Sequence, residues 1–102
     1  NNPFYKSTFN SSYDSAYYHW KQHGGEYSFE EYTQASQEWA AECWKNEKKL
    51  RAEGKLHKTT LQDGTTGFRV STPGGFNGGD VAGGYIKVVN GVGRPVTTWM
   101  NY

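Results

Sequence analysis

The side chains of this chain that can move protons or hold negative charge fall in a few short stretches. They are Lys21-Gln22-His23 ahead of Gly24-Gly25, Arg69 in Phe68-Arg69-Val70-Ser71, Tyr85-Ile86-Lys87, and Thr97-Thr98-Trp99. Imidazole titrates near neutral pH and serves as acid or base. Arginine and lysine donate to anionic oxygens, and a Thr or Tyr hydroxyl can bind a phosphate oxygen. This set suits cleavage of an RNA phosphodiester without a metal. An internal 2′-hydroxyl attacks phosphorus, so the site needs an acceptor for its proton, a donor for the leaving 5′-oxygen, and cations for the developing charge.

Whether these residues meet depends on the elements that carry them. The chain has 102 residues, enough for one domain with a modest core and hence for one site. Only 34% of residues are hydrophobic while 17% are aromatic, so large amphipathic rings must do much of the burying. The formal charge of +1 excludes no partner, because phosphate binding depends on where cations cluster. They cluster between Lys45 and Lys58, a run that by itself reads as a solvated helix face with His57 added. The single cysteine, Cys43, rules out an internal disulfide, and its place on an apolar helix face marks it as buried filler. No segment is long and apolar enough to span a membrane, no signal-peptide pattern is present, and no group of residues suggests a bound metal or cofactor. The abrupt Asn1-Asn2-Pro3 start resembles a domain cut from a longer protein.

Residues 1–10 read as an arm packed by Phe4, Tyr5 and Phe9, or equally as a strand. Ser11-x-x-Asp14 opens a first helix from about Ser12 to His23, with Gly24 expected as a left-handed cap. Ser28-x-x-Glu31 is a full capping box. Tyr32, Ala35, Ser36, Trp39, Ala40 and Cys43 form the inward stripe of a second helix, expected to run to Arg51 or Ala52. Beyond Gly54 the period becomes two. Leu56–Leu61 and Phe68–Ser71 flank an Asp63-Gly64 hairpin signal, a Gly-rich loop spans Pro73 to Gly84, and Tyr85–Val89 pairs with Val96–Met100. The expected fold is α+β, two N-terminal helices on an antiparallel sheet of about four strands.

Strand alternation then sorts the polar residues. If Phe68, Val70, Ile86, Val88, Val96 and Met100 face the helices, Arg69, Tyr85, Lys87, Thr97 and Trp99 point the other way. The glycine corner after His23 would let its imidazole approach that face. Each residue also has a plain structural role: solvent-side strand cations, a cross-strand Tyr85–Trp99 pair, a histidine favourable to a helix C-terminus. On the same ground His19 and His57 read as surface residues, His57 beside Lys58 being in reach of an RNA backbone.

These motifs, with the Glu30-Glu31-Tyr32-x-x-Ala35 helix start and the Gly84-Tyr85-Ile86-Lys87-Val88-Val89-Asn90 to Trp99 segment, resemble a bacterial toxin group. It is the barnase, EndoU, colicin D and RelE-like ribonuclease group, found at the carboxyl ends of polymorphic and contact-dependent inhibition toxins. The resemblance spans about Trp20 to Trp99. It implies a helix-borne basic and histidine pair at Lys21 and His23, a strand cation at Arg69 with Lys87 second, and a final-strand hydroxyl at Thr97. Many relatives end in Thr-x-Tyr or Thr-x-Phe, so Trp99 departs from the pattern and offers stacking without a phenol. Should a bulge shift the register, Thr98 becomes the hydroxyl and Tyr102 the phenol.

The expectation is a metal-independent ribonuclease domain without cofactor, acting on RNA, tRNA above all. Catalysis falls to His23, Arg69, Thr97, Lys21 and Lys87, and RNA binding to Tyr85, Trp99, Thr98, Tyr102, His57 and Lys58. The resemblance further implies a monomer that is secreted as the end of a larger toxin, acts in the cytoplasm of a neighbouring bacterium, and is neutralised by an immunity protein. The alternative is a non-catalytic domain whose aromatic and basic face binds RNA or a protein.

Overall fold

A computed structural model describes residues 4–101. Helices α1 (Ser12–His23), α2 (Phe29–Lys45) and α3 (Glu47–Ala52) precede strands β1 (Leu56–Thr60), β2 (Thr66–Ser71), β3 (Val81–Val89) and β4 (Val92–Met100). The strands form one antiparallel sheet in the order β1-β2-β3-β4. This is the expected α+β arrangement of N-terminal helices and a four-stranded sheet.

The helix starts follow their caps. The Ser11 hydroxyl accepts from the Asp14 amide, and at α2 the Ser28 hydroxyl accepts from Glu31 N–H while the Glu31 carboxylate accepts from Ser28 N–H at 2.9 Å. The end of α1 differs from expectation. Gly24 stays helical at φ −74°, its N–H still bonded to the Trp20 carbonyl, and the left-handed residue is Gly25 at φ +58°. The cause is Trp20, whose indole donates across the corner to the Tyr27 carbonyl at 2.8 Å and lies where a Gly24 side chain would be.

The second helix covers its stripe but stops at Lys45, short of the expected Arg51 or Ala52. At Asn46 the backbone leaves helical geometry, the Asn46 amide donates to the Glu42 carbonyl, and α3 sets off afresh to bury Leu50 near β1. Tyr32, Ser36, Trp39, Ala40 and Cys43 are buried as the stripe requires. They meet Leu56, Val70, Val81, Ile86 and Met100 from the sheet and Phe4 from the arm. Burial pushes the Cys43 thiol up to about 12, consistent with an inert core cysteine.

Both later strands begin early. Asn90-Gly91, at φ +53° and +78°, makes a two-residue turn in place of the expected six-residue loop, so β4 starts at Val92. β3 takes Gly83 and Gly84 into the sheet, where neighbours leave no room for a side chain: a Gly83 Cβ would sit 2.9 Å from the Trp99 indole. The Gly-rich loop is tied at its base, where Trp39 Nε1 donates to the Thr72 hydroxyl and that hydroxyl donates to the Val81 carbonyl, each at 3.0 Å.

One irregularity decides which residues face the helices. Tyr85 pairs with Thr97 but Ile86 pairs with Pro95, so Val96 is an extra residue in β4. Val96 lies outside the core cluster and lines the opposite side of the sheet, contrary to simple alternation. Beyond the bulge Thr98 points inward. Its hydroxyl bonds Ser36 Oγ at 2.6 Å and its carbonyl accepts from the buried Tyr32 hydroxyl at 2.8 Å. Replacing Thr98 by Val should cost about 1–3 kcal/mol, because Ser36 loses its partner, and adding Ser36→Ala should recover part of that loss. Urea unfolding of the two single variants and the double variant measures it.

Candidate functional site

Strand register brings four predicted residues into one row on the face away from α2. His57 pairs with Arg69, Arg69 with Tyr85, and Tyr85 with Thr97. Beside this row, Trp99 lies over Gly83, with its ring 6.3 Å from that of Tyr85.

α1 overhangs the β4 end of the same face, and the arm and the far end of β1 complete a cleft of about 500 Å³. Its floor is Tyr85, Val96 and Thr97; His19, Gln22, His23 and Tyr18 come from α1, Ser7 and Phe9 from the arm, and residues 59–62 from β1 and its turn. The half-buried His23 ring makes an edge contact with Trp99 at 6.2 Å between centroids. The structure thus brings His23, Tyr85 and Thr97 to one cleft, with Arg69 one strand away. Thr97 Oγ1 is buried and makes no hydrogen bond among the described residues.

His19, read from sequence as a surface residue, is half-buried and lines the cleft four residues from His23. Its ring is flanked edge-on by Phe9 at 5.5 Å and Tyr18 at 5.3 Å. Burial holds its pKa down at about 4, opposed by the Ser15 carbonyl and helped by His23. Nδ1 is sealed from solvent and makes no hydrogen bond among the described residues. The spacing of His19 and His23 puts both on one helix face, which alone does not reveal the burial of His19.

Other predicted residues lie elsewhere. Lys21 is exposed, with its ammonium 5.7 Å from the Trp20 ring centre, and does not line the cleft. Lys87 does face outward, but it donates to the Thr66 carbonyl at 3.0 Å and sits 5.3 Å above the Tyr5 ring. Thr98 is a core residue, so the alternative register fails because the bulge falls before Thr97 and returns Thr98 to the helix side. Lys58 pairs with Phe68, which packs on Trp44, so it belongs to the opposite face from His57. His57 is exposed, with Nε2 2.9 Å from the Gly54 carbonyl. Tyr102 lies outside the described residues. Arg94 was missed: it stands opposite Lys87 on the outer face, and the Asn90-Gly91 turn was the sequence signal for that register.

Next to Lys87 the arm is strapped to the sheet. The Tyr5 hydroxyl donates to the Asp63 carboxylate, Thr65 donates to Asp63 through both its amide and its hydroxyl, and Tyr5 N–H donates to the Pro95 carbonyl. These bonds, Tyr5 first, hold the Asp63 carboxyl down at about 2, with Lys87 adding a smaller pull.

Comparison of the chain with protein-family models, with curated proteins and with solved structures finds no match. Among the described residues no three His, Cys, Asp or Glu side chains cluster as a metal site, and no helix is long and apolar enough to cross a membrane.

The two depressed groups set the acid limb of stability. His19 titrates near 6.5 when unfolded and about 4 when folded, so its contribution is complete above 6.5 and is lost as pH falls towards 4. Asp63 acts the same way lower down, between 3.8 and about 2. Urea midpoints measured from pH 8 to pH 3 should therefore decline below 6.5, and His19→Phe should flatten the segment above pH 4.

Proposed function

We propose that this chain is a metal-independent ribonuclease domain. The observation that carries the reading is the meeting of His23, Thr97 and Tyr85 in one cleft, with Arg69 next in register to Tyr85. An imidazole, hydroxyl groups and a guanidinium are the components required for attack of a 2′-hydroxyl on its own phosphodiester.

In this reading the 2′-oxygen gives its proton to His23 as it attacks phosphorus. The bond to the 5′-oxygen breaks, that oxygen is protonated, and the products are a 2′,3′-cyclic phosphate and a 5′-hydroxyl. Tyr85, on the cleft floor, gives its hydroxyl proton to the leaving oxygen, Thr97 Oγ1 supplies a hydrogen bond to a phosphate oxygen, and Arg69 meets the charge from the edge. Trp99 positions His23 and offers a stacking surface beside it. Lys21, Lys87 and His57 act as outlying cations or hydrogen-bond donors along the RNA path. The toxin-like motifs extend the proposal to a tRNA substrate, delivery into a neighbouring bacterium and a cognate immunity protein.

Purified protein incubated with total RNA in chelator should produce fragments ending in cyclic phosphate. His23→Ala should lower the rate roughly 100-fold or more, and Arg69→Ala roughly 100-fold. Intact RNA, or cleavage unchanged by both substitutions, rejects the reading. Saturable RNA binding without product would instead favour a binding domain.

A further inference from the structure

The two edges of the sheet are not alike. At β4 the outer edge is taken up: the Tyr5 amide of the arm donates to the Pro95 carbonyl at 2.9 Å, and α1 packs on the strand. At β1 the helix α3 is joined to the start of the strand, where the Lys55 amide donates to the Leu50 carbonyl at 2.8 Å. Beyond that point the hydrogen-bond pattern leaves the edge open. The Lys55 carbonyl accepts from the Ser71 amide, the Leu61 amide donates to the Thr65 carbonyl, and between them His57 stands opposite Arg69 and Thr59 opposite Gly67. An antiparallel ladder bonds every second residue to its neighbour, so His57 and Thr59 bond to β2 while Lys58 and Thr60 turn both N–H and C=O away from it. Both residues are exposed, and no hydrogen bond reaches these outward groups among the described residues.

A row of alternating donors and acceptors is matched by another extended peptide. Phosphate oxygens are acceptors only and would leave the carbonyls of Lys58 and Thr60 unserved. Charge then selects among peptides. Lys45, Arg51 and Lys55 are ion-paired with Glu42, Glu47 and Glu53, whereas Lys48 and Lys49 of α3 and Lys58 of β1 have no carboxylate partner among the described residues. A lysine on an edge strand deters neutral and like-charged strands from pairing. A second copy of this chain would bring its own His57 and Lys58 to the seam and set like charges together. A strand that carries carboxylates meets no such barrier.

We propose that the outer edge of β1 is a docking site for an extended acidic segment of another protein, which adds a fifth strand along Lys58 and Thr60 and sets its carboxylates against Lys58 and the free cations of α3. The inference does not rest on the ribonuclease reading, since it uses none of the groups assigned there to proton transfer or phosphate binding.

The test is an NMR titration of the whole chain with short capped peptides. One alternates glutamate with valine, one is the same peptide N-methylated at every residue, and one has lysine in place of glutamate. The glutamate peptide should shift the Lys58 and Thr60 amide resonances and slow their hydrogen exchange, and the lysine peptide should leave them unmoved. N-methylation keeps the charge but removes the backbone donors, and should weaken binding roughly tenfold or more. Lys58→Glu, at an exposed position, should weaken it roughly fivefold with the circular dichroism spectrum unchanged. No binding, equal binding of the N-methylated peptide, or changes confined to other amides overturns the proposal. So does a single-stranded RNA oligomer that slows exchange of the same two amides more strongly than the peptide does, which would make the edge a nucleic-acid contact. A sedimentation mass that doubles with concentration, and no longer does so in Lys58→Glu, would give the edge to a second copy and overturn it as well.

Discussion

The attachment of Thr98 to α2 governs the geometry of the outer sheet face. One threonine gives its hydroxyl to Ser36 and its carbonyl to the Tyr32 hydroxyl, all three buried, so β4 cannot slip by one residue without stranding several polar groups in the core. Because this pairing holds Thr98 inward, Thr97 and Trp99 must point outward. Because α2 in turn is seated by its capping box and apolar stripe, the orientation of the putting-out face traces back to the helix start at Ser28. The cleft is a consequence of core hydrogen bonding.

Alternation along strands was enough to put Arg69, Tyr85, Lys87, Thr97 and Trp99 on one face, because side-chain direction in a strand is set locally by the pleat. It failed at Val96. A bulge arises from how two strands pair, and Tyr85 opposite Thr97 with Ile86 opposite Pro95 is a relation between distant segments that no local period carries. The same limit explains α2 and α3. The stripe from Tyr32 to Cys43 was legible, but the change of course at Asn46 serves the burial of Leu50 near β1, a contact beyond the helix itself.

Other features were legible but passed over. Asn90-Gly91 is a strong signal for a two-residue hairpin, and following it would have moved Arg94 from loop to strand and set it opposite Lys87. Two like charges directly opposed are unfavourable, and the structure relieves them through Lys87, which turns to the Thr66 carbonyl and the Tyr5 ring. His19 was hidden for a different reason. Its burial depends on Phe9 folding back from the arm, and a stretch without period gives no clue to where it will pack.

Under the proposed ribonuclease reading, the cleft and its cations would divide the work of holding a polyanion. Charged groups inside a half-closed aromatic cleft would lose hydration, and they are absent from its lining; the fixed charge lies on exposed Arg69 one strand away. An exposed guanidinium is weak in isolation, worth about 1 kcal/mol against a charge 4 Å away in water. It becomes stronger only when something displaces the water around it. A nucleotide strand laid along the His57, Arg69, Tyr85 and Thr97 row would do so itself, covering Arg69 with its backbone as a base entered the cleft. A mononucleotide too short to reach Arg69 would leave that cation solvated. Under that reading the arrangement would favour a polymer over its monomers, because only a backbone that reaches Arg69 supplies the dry surroundings in which the cation acts.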